Sequence, residues 1–458
     1  WTNTGTTDIG AVTYNVYTQG ALTLQVANTV GGPTPASLNL SDLNGSSGFR
    51  LDGEAVNDYS GDSVSSAGDV NGDGYDDLII GVSSTDNNGD ASGSSYVVFG
   101  GAANMGASVN LSDLDGTNGF RLDGEAAGDF SGRSVSSAGD VNGDGYDDLI
   151  VGSSADPNGN YSGSSDVVFG KASGCAAPGK LSVRNGTTGF RLDGEAAGDR
   201  SGYSVSSAGD VNGDGYDDLI IGADGTDNNG TDSGSSYVVF GVAAGMGATV
   251  NLSSLDGTTG FRLDGETAVD TVSSAGDING DGYDDLIIGT PYTDINGNNS
   301  GSSYVVYGKA SAFASTVNLS DLNGTTGFRL DGEAAGDQSS WSVSSAGDVN
   351  GDGYDDLIIG AWYADNNGSK SGSSYVVFGT DNAFAPTVNL STLDGTNGFR
   401  LDGEAALDYS GFSVSSAGDV NGDGYDDLII GAYLANINGS YSGSSLSLIH
   451  ISEPTRRS

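Results

Sequence analysis

Asp140-Val141-Asn142-Gly143-Asp144-Gly145-Tyr146-Asp147-Asp148 decides the fold, because the chain repeats it. The same nine residues, with Val or Ile second, begin at Asp69, Asp140, Asp210, Asp277, Asp348 and Asp419. Self-similarity at a fixed period of this size marks a repeat architecture. One unit is short: Gly198-Asp199-Arg200-Ser201-Gly202-Tyr203-Ser204-Val205 of unit three becomes Val269-Asp270-Thr271-Val272 in unit four.

Around each loop the punctuation is constant. In unit two, Ser134-Val135-Ser136-Ser137-Ala138-Gly139 alternates and reads as a first strand, and Asp148-Leu149-Ile150-Val151-Gly152 is an apolar second strand. After a turn at Asp156-Pro157-Asn158-Gly159 comes Ser165-Asp166-Val167-Val168-Phe169-Gly170, then a longer connection to a fourth strand at Gly189–Gly194. The bounding Gly, Asn and Asp residues are turn formers. No stretch holds a 3.6-residue period, apart from one helical turn expected within Val-Asn-Leu-Ser-Asp-Leu at 109–114. Four short strands per unit describe an all-β chain with the blades of a β-propeller, each four-stranded and antiparallel. Six units are present, so a seventh blade is expected to be missing or partial. The apolar second and third strands suit burial on both faces between stacked blades. A β-solenoid, the rival, needs a shorter period and the nine-residue Gly-Gly-x-Gly-x-Asp pattern, which is missing.

Composition narrows the function. The chain has 458 residues, 15 Lys+Arg against 61 Asp+Glu, a net charge of −46, 78 Gly and a single Cys and His. Such acidity repels phosphate backbones and anionic membranes, so nucleic acid is not an expected partner. One Cys, Cys175, allows no internal disulfide and no thiolate zinc site. No apolar run reaches the length of a membrane helix, so no membrane insertion is expected.

Carboxylates concentrate in the loops, four in each of six, and these loops carry the expected chemistry. Oxygen donors stand at positions 1, 3, 5 and 9, Gly at position 6 permits a sharp turn, and position 7 offers its backbone carbonyl. The arrangement matches an EF-hand-type loop for Ca²⁺, a hard cation that takes 6–8 oxygens; Mg²⁺ demands stricter geometry. The candidate metal ligands are Asp69, Asn71, Asp73, Tyr75 and Asp77 in the first unit and Asp140, Asn142, Asp144, Tyr146 and Asp148 in the second. The third and fourth units supply Asp210, Asn212, Asp214, Tyr216 and Asp218, then Asp277, Asn279, Asp281, Tyr283 and Asp285. The last two supply Asp348, Asn350, Asp352, Tyr354 and Asp356, then Asp419, Asn421, Asp423, Tyr425 and Asp427. The bidentate Glu of an EF-hand at position 12 is replaced by Ile or Val (Ile80, Val151), so the ninth residue must provide the late carboxylate. A metal-free Asn/Asp-Gly hairpin turn is the alternative. About six Ca²⁺ sites, each saturated at 100 times its Kd, would contribute about 2.7 kcal/mol apiece, a structural rather than catalytic role.

Ser-Val-Ser-Ser-Ala-Gly-Asp-Val-Asn-Gly-Asp-Gly-Tyr-Asp-Asp-Leu-Ile-Ile-Gly, followed by Ser-Gly-Ser-Ser-Tyr-Val-Val-Phe-Gly, resembles the FG-GAP repeat of integrin α-type propellers. The resemblance covers residues 37–445. It implies a seven-bladed propeller with calcium in the hairpin loops, used for adhesion or ligand binding, at the cell surface or outside the cell. The near-identity of the units is similar to large bacterial extracellular proteins. Residues 1–36 lie outside the repeat; Ala11–Tyr17 and Leu22–Val26 read as a hairpin, either the end of a preceding β domain or ring-closing strands. In the sixth unit the expected Tyr-Val-Val-Phe-Gly is absent, and 446–458 reads as a non-native, adaptor-derived tail that carries the one His.

Antiparallel order puts the Asp loops on one propeller face and the turns between second and third strands on the other. On that other face the sequence varies. One slot before the first strand reads Tyr59, Phe130, Arg200, Gln338, Tyr409; the next reads Asp62, Arg133, Tyr203, Trp341, Phe412. Tyr292, Trp362, Tyr363 and Tyr433 follow the second strand. Aromatics and Arg are typical hot-spot residues, so this face is the candidate site for a protein or glycan ligand; the alternative is that the rings cover blade ends. Arg50, Arg121, Arg191, Arg262, Arg329 and Arg400 precede Leu-Asp-Gly-Glu and are expected in structural ion pairs. Three functions follow: a calcium-stabilised binding module joined to neighbouring domains of a longer chain, a structural spacer, or a polysaccharide-active enzyme. The lack of a nucleophile–base constellation argues against the enzyme.

Overall fold

The computed structural model describes residues 2–9, 12–19, 22–27, 43–44, 48–101, 106–172, 179–243, 246–310, 312–435 and 444–448. The chain divides into two units, residues 1–52 with 103–109, and the remainder. In the first, Thr2–Ile9, Val12–Gln19 and Leu22–Ala27 form a three-stranded antiparallel sheet, with Tyr17 opposite Leu24. The expected hairpin is therefore present, with a further strand before it.

The second unit is a six-bladed β-propeller. Its innermost strands are Ser63–Gly68, Val135–Gly139, Ser201–Gly209, Thr271–Gly276, Ser339–Gly347 and Ser410–Gly418. Unit two shows how closely local sequence sets the strands: Val135–Gly139, Asp148–Ser153, Ser164–Val168 and Gly189–Asp193 pair in that order, all antiparallel. The blades differ from the four-stranded expectation in one respect. In blades one to four a fifth strand from the following unit adds in parallel to the outer edge, as Thr249–Asn251 does on Arg191–Asp193. That segment overlaps the expected helical turn, which shrinks to a 3-10 turn such as Leu252–Ser254 with its Leu252 buried. Blade six is described as three strands, the last being Ser444–Leu448, which pairs Leu446 with Ile430. Positions 449–458 and Cys175 lie outside the described residues.

Alternation along the second strand explains the stacking. Leu286 and Ile288 of blade four pack with Ile220, Val238 and Phe261 of blade three, whereas Ile287 between them packs with Leu357, Ile359 and Tyr375 of blade five. Each fully buried Ile or Leu contributes about 1.5–3 kcal/mol relative to an exposed one. Both faces of an interior blade are thus core. The terminal blades show the converse: Val64 and Leu78 of blade one, and Ile429 of blade six, are exposed, while Val343, Leu357 and Ile358 of blade five are buried.

Ion pairs tie the outer edge as expected. Arg121 bonds Asp123 at 2.7 Å and reaches Glu54 of the preceding Leu-Asp-Gly-Glu at 3.1 Å; Arg262 repeats this with Asp264 and Glu195. The turns after the second strand are also structural. Asp86 Oδ1 accepts the Ala91 amide at 2.8 Å and Asn88 Nδ2 donates to the Gly124 carbonyl at 2.7 Å.

Candidate functional sites on the two faces

Each Asp loop closes on its own first residue. In blade three, Asp210 Oδ1 accepts the amides of Gly213 (2.7 Å) and Asp214 (3.0 Å), and Oδ2 accepts that of Gly215 (2.9 Å). Asp214 Oδ1 accepts the Tyr216 amide. Asp218 lies at the bottom, fully buried; its oxygens accept the Val211 and Gly241 amides at 3.0 and 2.9 Å, and Asn212 Nδ2 leans on it at 3.5 Å.

Two loop residues act between blades. Asp284, eighth in its loop, accepts the Asp210 amide of the preceding blade at 2.8 Å, and Asp147, Asp217, Asp355 and Asp426 do the same one blade apart. The ring of Tyr283 lies over Gly213, which has φ +73°; a Cβ there would come within 2.3 Å of the ring. Only Gly permits both that backbone and that approach. Sequence reading placed the first, fifth and ninth carboxylates of a loop around one cation and gave the eighth no role. The structure assigns the eighth to the blade interface, a role visible only once blades are adjacent.

The ninth carboxylate is the unusual group. Burial pushes Asp148, Asp218, Asp285 and Asp356 up to about 8, with repulsion from the first and fifth Asp of the loop adding to it, against the lowering effect of backbone amides. Asp77 rises to about 6, again mainly through burial. Among the described residues of blades one to five, no Lys or Arg is ion-paired to these loop positions. A buried, ionisable carboxylate beside two others, with oxygen donors only, is chemistry that fits a hard divalent cation. Among the described residues no three acidic, His or Cys side chains already stand in metal-holding geometry, and the first and fifth Asp accept backbone amides.

On the opposite face the structure gathers one part of the expected ligand site and separates the rest. Trp341 and Trp362 have centroids 4.8 Å apart; Trp362 contacts Tyr363 (4.0 Å), Tyr409 (5.5 Å) and Phe412 (5.3 Å); Phe412 meets Tyr433 at 4.4 Å. Lys370 caps the rim, its Nζ 4.1 Å from the Tyr363 ring centroid. Blades five and six thus carry a continuous aromatic cluster. Blades two to four carry charge: Arg133 lies over Tyr203 at 4.3 Å and Arg200 Nε donates to Asp224 at 2.9 Å. Asp270 rises to about 7, chiefly through burial and then through repulsion from Asp224, against the attraction of Arg200. Burial first, then Asp270, raises Tyr292. Tyr59 and Phe130, on blades one and two, are exposed and have no ring contact with the cluster among the described residues.

Backbone strain recurs in the first variable slot, as it does in the turn after the second strand at Ala91, Tyr161, Asp232, Asn299 and Lys370. Tyr59, Phe130, Arg200, Gln338 and Tyr409 all have φ between 48° and 57°. Side chains of this bulk rarely adopt the left-handed region, and such strain collects at functional sites. Two cavities of about 400 and 380 Å³ lie instead beside the Asp loops, one against Asp281, Tyr307 and Phe313, the other against Asp144, Phe169 and Met246. Neither cavity is lined by the aromatic cluster.

Fold and loops together define a propeller built from Asp-loop repeats. The family profile described as "FG-GAP repeat" matches residues 60–98, 131–168, 201–239, 270–306, 340–377 and 410–448, and the chain belongs to that family. It is 31% identical over 242 residues to integrin alpha pat-2 of Caenorhabditis elegans, covering 51% of this chain and 18% of the relative. It is 29% identical to integrin alpha-V of Gallus gallus (48% and 21%) and to integrin alpha-5 of Xenopus laevis (55% and 24%). The chain therefore spans about a fifth of the length of these relatives. It is an integrin-alpha-like propeller, and no helix among the described residues is long and apolar enough to cross a membrane.

Proposed function

We propose that this propeller is a calcium-stabilised binding module of a large extracellular or cell-surface protein, of the adhesive kind that integrin α subunits and bacterial surface proteins use. The face opposite the Asp loops binds the protein or glycan ligand, and neighbouring domains of a longer chain position it. The observation that carries the reading is the contiguous cluster of Trp341, Trp362, Tyr363, Tyr409, Phe412 and Tyr433 on a face where other blades place charge. Half-buried aromatics are the anchors that interfaces use.

In each loop the first, third, fifth and ninth side chains and the seventh carbonyl would hold Ca²⁺; in blade three these belong to Asp210, Asn212, Asp214, Asp218 and Tyr216. When bound, the ion neutralises the buried ninth carboxylate. Calcium titration by calorimetry, with melting followed with and without EDTA, tests the stabilising role, and an unchanged melting temperature overturns it. Alanine at Trp341 and Trp362 tests the ligand face, and unchanged partner binding overturns that.

A further inference from the structure

Three solvent-shielded polar atoms on the aromatic side have no hydrogen-bond partner: Trp362 Nε1, Gln338 Oε1 and Asp270 Oδ2. Buried polar groups are nearly always paired, and an orphan is destabilising. Most other orphans are Ser hydroxyls at repeated strand positions such as Ser95, Ser165, Ser236 and Ser374. These three break the repeat.

Two of them, Gln338 and Trp362, are neighbours by construction. Gln338 and Trp362 occupy, one for one, the places that Arg200 and Asp224 hold in blade three, where the two side chains bond at 2.9 Å. The backbone bond that joins those places recurs, from Gly225 N to Asp199 O and from Tyr363 N to Asp337 O. In blade five the ion pair is thus replaced by a free amide oxygen beside a free indole N–H. Trp341 lies against Trp362, and Asp270 fills the slot of Trp341 in the adjacent blade, where the four-residue deletion shortens the approach to the first strand. Tyr292 lies within electrostatic reach of both Asp270 and Tyr363, which joins the two halves.

We propose that this side of blades four to six is a subsite for a neutral oligosaccharide, stacked on Trp341 and Trp362 and hydrogen-bonded by Trp362 Nε1, Gln338 Oε1 and Asp270 Oδ2. The inference rests on reading this face as the ligand-binding one and names its ligand class. A sugar ring offers a C–H face to an aromatic platform and hydroxyls that both donate and accept. Those hydroxyls can satisfy one orphan donor and two orphan acceptors together. The chain's charge of −46 and the nearby Asp224 disfavour uronic or sulfated sugars.

The test is calorimetric titration of the intact, calcium-loaded chain with neutral gluco-, manno-, galacto- and xylo-oligosaccharides, with Trp fluorescence as a second readout. Binding of at least one class is expected. The paired substitution Trp341→Ala and Trp362→Ala should weaken it at least about tenfold. Trp362→Phe keeps the ring and removes the N–H; it should weaken binding about three- to tenfold, the size of one net hydrogen bond, with the melting temperature unchanged. No binding of any neutral oligosaccharide overturns the proposal, as does binding that survives the paired substitution. Should an extracellular protein bind in a Trp362-dependent way while no sugar does, the sugar subsite falls and the ligand face stands. Should protein binding ignore Trp362 as well, both fall.

Discussion

The two faces of the propeller obey different rules. On the loop face the same residues recur six times, because each blade needs its neighbour's: Asp284 accepts the Asp210 amide, and Tyr283 covers Gly213. On the opposite face equivalent slots hold Arg200, Gln338 or Tyr409, and Asp224, Trp362 or Tyr433, because little packs there to constrain them. Repetition marks where the fold is made, and variation marks where a blade is free to meet something else.

The largest way to break this contrast is to remove calcium. EDTA should lower the melting temperature by about 10 °C or more, since each saturated site contributes about 2.7 kcal/mol, and ligand-face contacts should be lost only through unfolding. Calorimetry in EDTA and in millimolar Ca²⁺ measures it.

Acidity should separate the two states next. In metal-free protein the ninth carboxylates of blades two to five titrate near 8, above their unfolded value of about 3.9. Between those values the folded chain holds protons that the unfolded chain has released, so stability falls as pH rises. Melting in EDTA should therefore climb as pH drops from 8 to 5. In calcium it should fall over the same range, because protons compete with the ion.

Asp284→Ala should cost about 1–3 kcal/mol by orphaning the Asp210 amide. Asp76→Ala, the equivalent change on blade one, should cost close to nothing, because among the described residues Asp76 is exposed and caps no preceding blade. Equal urea midpoints for the two variants would remove the inter-blade role. Trp341→Ala should likewise cost little stability, about 1 kcal/mol or less, as for half-exposed positions outside the core. Its loss should appear in ligand binding instead.

Much of the fold was legible because the blade is a local object. Strand limits in unit two agree with the sequence reading to within a residue or so, since Gly, Asn and Asp mark every turn and apolar runs mark the doubly buried strands. The fifth, parallel strand was not legible: Thr249–Asn251 is three residues long and pairs with a strand from the unit before. The same limit applies to the sites. The loop pattern named Asp218 among its candidate ligands, and the structure buries it in its own loop, yet the pattern gave Asp217 no role, and only the structure shows it bonding back to blade two. The deletion before Thr271 was plain in the sequence. Its consequence, an Asp270 whose Oδ2 has no hydrogen-bond partner, depends on which blades become neighbours.

The sequence by itself determined the period, the all-β class, the Asp-rich loops and the division into an invariant and a variable face, because these rest on turn chemistry and alternation within a single unit. The tertiary structure alone decided which carboxylate faces a neighbour, which of the scattered aromatics form one cluster and which polar atoms are left without partners. Those depend on side chains about one repeat apart in the chain, brought together only when blade stacks on blade.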